Sequence, residues 1–214
     1  MRYLLAILML LPAASLLAGP KKVSPVRVPA VVDLLNLTCP IGGEEIDDDT
    51  TLDWGGVRVH LCCPGCEKKF KKNPAKALAK LGVKVAKGKG GKPEVDLANA
   101  KCPIMGGKTR ESVFSVHGSV RVRHCCPGCG SKTAKDPEKA FAAIGYEYVP
   151  SVVDLRNKSC PFSDKPVDGE AEVDHDGVRV HFCCDRCVKM FEKDPAAGFE
   201  KLGVDPAKLK SKTK

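Results

Sequence analysis

Aromatic residues are scarce, with one tryptophan, three tyrosines and seven phenylalanines among 214 residues. A protein that grips single-stranded nucleic acid needs aromatic platforms along a basic groove, and this chain has few to offer. Acidic residues are also outnumbered, 26 against 35 lysines and arginines, for a formal charge of +9. The excess sits in "KKVSPVRVP", "KVAKGKGGKPE" and the tail "PAKLKSKTK". Such runs read as solvated spacers that make at most weak contact with anionic surfaces. No nucleophile elbow, phosphate loop or carboxylate pair appears. Nucleic-acid binding and catalysis are therefore not expected. Long apolar runs are absent except at the start, "MRYLLAILMLLPAASLLAG". One arginine precedes that run and small residues end it near Ala18, which is too short for a comfortable membrane span. Residues 1–19 read as a signal peptide, and the protein as periplasmic or secreted. Its removal takes away Arg2 and no acidic residue, lowering the charge by one.

Cysteine, by contrast, is plentiful and ordered. The twelve fall into three sets: Cys39, Cys62, Cys63, Cys66; Cys102, Cys125, Cys126, Cys129; and Cys160, Cys183, Cys184, Cys187. In each set twenty-two residues separate the first cysteine from the second and three separate the second from the fourth. The flanks repeat as well. "VVDLLNLTCP", "EVDLANAKCP" and "VVDLRNKSCP" open the copies, and "NPAKALAKLG", "DPEKAFAAIG" and "DPAAGFEKLG" close them. This is a tandem triplication of one module of about fifty residues. It divides the chain into copies at 31–83, 95–146 and 152–204, a Gly/Lys linker at 84–94 and a basic tail at 205–214.

Each copy reads as a small α+β unit. An extended segment leads to a Cys-Pro turn, and a hairpin then turns at Trp54-Gly55-Gly56, His117-Gly118-Ser119 or His175-Asp176-Gly177. In "VRVHLC" the valines alternate inward, so Arg58, His60 and Cys62 face the other way. A helical turn follows the cluster. A second helix then begins at Asn73-Pro74, Asp136-Pro137 or Asp194-Pro195, a capping side chain followed by proline. His117 and His175 read as turn residues. A module this small buries too little apolar surface to stand alone and needs a metal or disulfides. Thiolates at four- and three-residue spacing near a helix start can converge on one ion, with the knuckle cysteine closing from the other side. Such a set selects soft or borderline ions, zinc or copper(I), about one per module.

The spacing, with the Asp-Pro or Asn-Pro that follows it, resembles the TRASH/YHS family of metal-binding modules. The resemblance covers all three copies and implies a treble-clef-like fold. It also implies a role in heavy-metal trafficking, sensing or resistance, with metal ions, and a metal-transport or resistance protein, as partners. It maps the core ligands onto Cys39, Cys62 and Cys66; Cys102, Cys125 and Cys129; and Cys160, Cys183 and Cys187. A closed finger often begins with Cys-x-x-Cys, whereas Gly42, Met105 and Ser163 stand at the second of those positions here. The candidates for a fourth ligand are Cys63, Cys126 and Cys184, with His60, His181 and Met105 as further ones. Two other readings remain open. The cysteines could pair as disulfides in an extracytoplasmic interaction scaffold, or Cys63-Pro-Gly-Cys66 could serve a thiol oxidoreductase, although the βαβ context of that motif is missing.

Overall fold

The computed structural model describes residues 23–46, 50–167 and 171–211. The expected signal peptide and the last three residues of the tail lie outside them. Strand β1 (Val26–Val28) precedes the repeats. Copy one comprises β2 (Val31–Asp33), β3 (Thr51–Trp54), β4 (Val57–His60), α1 (Pro64–Lys72) and α2 (Pro74–Lys80), and is trailed by β5 (Lys84–Lys87). Copy two follows as β6 (Pro93–Asp96), β7 (Arg110–His117), β8 (Val120–His124), α3 (Gly128–Lys135) and α4 (Pro137–Ala142), trailed by β9 (Glu147–Val149). Copy three has β10 (Val152–Asp154), β11 (Ala171–His175), β12 (Val178–Phe182), α5 (Asp185–Lys193) and α6 (Pro195–Leu202), with α7 (Pro206–Ser211) after it. The architecture is mixed α+β with small sheets. Among the described residues, no helix is long and apolar enough to cross a membrane.

The local elements follow from the residues. Val57, Val59 and Leu61 are buried while Arg58, His60 and Cys62 are not, the two-residue period of a half-buried strand. Gly55 and Gly56, both at positive φ, make the tight turn between β3 and β4. The second helix of each copy starts on a side-chain cap, with Asn73, Asp136 and Asp194 each accepting a backbone N–H at 3.1 Å. The element after the cluster is longer than the single turn expected, running nine residues in α1 and α5. In these two copies a fully buried phenyl ring one turn beyond the last cysteine, Phe70 or Phe191, anchors the helix, whereas α3 runs eight residues with Thr133 at that position.

The chain forms two compact units, one holding Arg27–Asp154 and the other holding copy three from Leu155 onward. In the first unit, β2 pairs parallel with β4, and β6 pairs parallel with β8 in the same way. The trailing strands are exchanged. β5, at the end of copy one, pairs antiparallel with β6 of copy two. β9, at the end of copy two, pairs antiparallel with β2 of copy one. The sheet orders are β3-β4-β2-β9 and β5-β6-β8-β7. One apolar core joins Val32, Val59 and Phe70 of copy one to Val95, Val122 and Phe141 of copy two. The hairpin tips also meet, and a Cβ on Gly56 would lie 3.2 Å from the Ser119 backbone nitrogen.

Residues 84–94, expected as a flexible spacer, are thus largely a hairpin of β5 and β6. Its Lys and Gly content conceals Val85 and Val95, which pair across the strands and face the shared core. In the second unit β11 and β12 pair antiparallel over a core of Leu155, Val180, Phe182, Phe191, Phe199 and Leu202. The described part of the expected tail is helical, with Asp205 accepting the Ala207 N–H at 3.0 Å.

Candidate metal centres

Each cluster is assembled from a knuckle, a strand end and a helix start. The knuckle is fixed by the opening motif. Asp33 accepts the Leu35 N–H at 2.8 Å, and Asp96 accepts that of Ala98 at 2.9 Å. Leu35, Ala98 and Arg156, at one position of the repeat, all adopt positive φ of 45–50°. Non-glycine residues rarely hold that conformation, and here it recurs three times beside a cluster. The next residue is asparagine in every copy. Asn36 accepts the His60 N–H at 3.0 Å and donates to the His60 carbonyl at 2.8 Å and the Thr38 carbonyl at 3.0 Å. Asn99 makes the same bonds to Arg123 and Lys101, and Asn157 to His181 and Ser159. One amide therefore ties the knuckle to the strand two residues before the second cysteine. Sequence reasoning passed over these asparagines, although their recurrence in "VDLLN", "VDLAN" and "VDLRN" was the available signal.

The structure brings together Cys39, Cys62 and Cys66; Cys102, Cys125 and Cys129; and Cys160, Cys183 and Cys187. Within each trio the sulfurs all lie within 4.8 Å of one another. The strand cysteine and the last cysteine are 3.7, 3.8 and 3.9 Å apart in copies one to three. An ion bound tetrahedrally at the ordinary zinc–sulfur distance needs sulfurs about 3.8 Å apart; these pairs meet that spacing, and the knuckle sulfur is within 4.8 Å of both. The first and last cysteines are buried and the strand cysteine is half-buried. Cys63, Cys126 and Cys184 stand outside the trios and are exposed. They nevertheless lie 3.6, 3.4 and 3.9 Å from the last cysteine of their copy. None of the twelve cysteines is joined in a disulfide.

The electrostatics differ by position. Burial pushes the Cys39 thiol up, but the N–H groups of Gly42, Cys62 and Ile41 point at its sulfur and bring it down to about 7. Cys102 follows the same pattern, also to about 7, with Cys125 and Met105 among the donors. In Cys160 the opposing donors are led by the Ser163 hydroxyl, which takes the thiol down to about 6. Gly42, Met105 and Ser163, where a closed finger has its second cysteine, thus serve the knuckle as hydrogen-bond donors. The partners move the other way. The bond to the Cys39 sulfur pushes Cys62 up, and burial, aided by Cys126 or Cys160, pushes Cys129 and Cys187 up to about 12. Two or three thiolates at this spacing repel one another, and a cation between them reverses that balance.

The additional ligand candidates lie elsewhere. His60 Nε2 contacts Asp33 Oδ1 at 2.8 Å, and Arg123 at the same repeat position grips Asp96 with bonds down to 2.7 Å. His181 Nδ1 lies 3.5 Å from Glu172. Both histidines thus face carboxylates, and neither belongs to a cysteine trio. Met105 is 64 % exposed on its turn, and its backbone N–H points at Cys102. His117 and His175 do more than end a strand, since each sets its ring edge against a core phenyl, Phe141 and Phe191 respectively. No protein-family model matches the chain, and neither a curated protein nor a solved structure matches it.

Proposed function

We propose that this is an exported protein of the TRASH/YHS type that sequesters or relays soft metal ions, zinc or copper(I), with one ion per copy. The observation that carries this reading is the thrice-repeated cysteine trio, its sulfurs all within 4.8 Å of one another. The knuckle supplies one thiolate under backbone N–H donors, and the strand end and helix supply two more. Cys63, Cys126 and Cys184 are the fourth ligands in this reading, because each already lies at ligand spacing from the last cysteine of its trio, and Cys184 from Cys183 as well. Their exposure leaves the centre open on the solvent side, which suits an ion that is handed on to a metal-transport or resistance protein. The protein acts as a binder, with no catalytic step assigned.

The test is elemental analysis with native mass spectrometry and thiol counting on the full chain after export, purified without reductant or chelator. The expected result is three zinc or copper ions and twelve reduced thiols. Six disulfides and no metal would establish the stapled interaction scaffold in its place.

A further inference from the structure

In copies one and three the strand entering the cluster carries a large apolar residue, Leu61 or Phe182, just before the second cysteine. The helix leaving the cluster turns Phe70 or Phe191 into the core, and all four side chains are fully buried. Phe182 and Phe191 lie ring against ring, with centroids 5.2 Å apart. Apolar contact thus ties strand to helix on either side of the cysteines. Copy two breaks this pattern at several positions at once. His124 replaces the strand residue and Thr133 the helix phenyl, at 1 % and 0 % exposure. Ser115 stands on β7 where the other copies have Leu52 and Val173. Gly130 replaces Glu67 and Val188, and a Cβ there would lie 3.3 Å from the Ser115 Cβ. The helix therefore comes close over the serine.

These polar groups are only partly paired. The Ser115 hydroxyl lies 2.8 Å from His124 Nε2 and 2.9 Å from His117 Nε2. The hydroxyl has one proton, so it donates to one ring and accepts an N–H from the other. His124 Nδ1 and Thr133 Oγ1 are enclosed, and among the described residues neither has a hydrogen-bond partner, including the other. Enclosed polar atoms are costly to leave bare, and such pairs are commonly bridged by a buried water with two to four partners. Replacing a phenyl ring by a hydroxyl and a methyl leaves room for one.

We propose that copy two encloses a water-binding site between His124 Nδ1 and Thr133 Oγ1. With Ser115 and His117 it forms a polar clamp that positions Cys125 and Cys129, the part played by apolar contact in the other copies. The water does not depend on the metal reading; the positioning role rests on it.

Two measurements on the full chain test this. A high-resolution crystal structure of the protein, with or without metal, should show a water within hydrogen-bond distance of both atoms, and a dry or directly bonded pair overturns the site. The second measurement uses cadmium-113 resonances of the loaded chain, one expected per cluster. His124→Phe alone and Thr133→Phe alone should each shift or broaden the copy-two resonance only, and lower the thermal midpoint by about 5 °C. The combination Ser115→Val, His124→Phe, Thr133→Phe, which installs the copy-three residues, should restore both. Single variants without effect, or a combination as damaged as either single, overturn the clamp. If the unaltered chain gives no cadmium resonances, the metal reading fails and the crystallographic water still decides the site.

Discussion

Within one cluster, neighbouring cysteines have unlike duties. Cys62 belongs to the close trio and Cys63 stands outside it, exposed and 3.6 Å from the last cysteine. Cys62→Ser removes a thiolate that the core of copy one is built around, so it should abolish binding at that site and unfold its surroundings. Cys63→Ser should leave the fold intact, weaken affinity and lower the coordination number by one, since the buried trio stays in place. Circular dichroism with competitive metal titration separates the two, and the same contrast is expected at Cys125 against Cys126 and Cys183 against Cys184. Reversed severities would place the centre on the Cys63–Cys66 pair. The buried Asn157 offers a test that leaves every thiol in place. Its side chain makes two hydrogen bonds to the strand at His181 and one within the knuckle to Ser159, each worth roughly 1 kcal/mol net. Asn157→Ala should therefore cost about 2–3 kcal/mol in chemical denaturation of copy three. A loss below about 0.5 kcal/mol would show that the knuckle holds itself.

Helices and hairpins were largely written in local signals, and the strand exchange was not. Asn-Pro and Asp-Pro announced the second helix because cap and proline act within one turn. The valines of "VRVHLC" announced their strand because burial of one face imposes a two-residue period. The cysteine spacing likewise pointed to the trios. β5 and β9, however, are four and three residues long, too short for a periodic signal, and their partners lie in the neighbouring copy. Their pairing is set by the shared core, which no single repeat displays. The His60 and Arg123 difference was also opaque until Asp33 and Asp96 appeared as their respective partners. The exchange makes a definite prediction. A fragment of residues 31–85 lacks β9 and leaves the β2 edge open, so it should remain unfolded or aggregate even with metal. A fragment of residues 27–154 should fold on metal addition, since it holds both sheets and the common core. Circular dichroism and size-exclusion chromatography decide this, and a folded, monomeric 31–85 would show that the exchanged strand is dispensable.

At the scale of the whole molecule, three centres are distributed over two cores. Copies one and two lie in one unit around a common apolar cluster, while copy three has its own. Cys39 and Cys66 belong to the first core and Cys160 and Cys187 to the second, so in the proposed reading each core should depend on the ions its cysteines hold. The loss of either ion from the paired unit then disturbs residues that both of its copies share. Calorimetry of the metal-loaded full chain should accordingly show two unfolding transitions, where three independent modules would give three. The variants assign them. Cys66→Ser and Cys129→Ser, in different copies, should weaken the same transition, and Cys187→Ser should remove the other while leaving the first in place. Progressive chelation should follow the same grouping, with the signals of copies one and two lost together. Separate responses to Cys66→Ser and Cys129→Ser would mean that the exchanged strands join two cores that nevertheless melt alone.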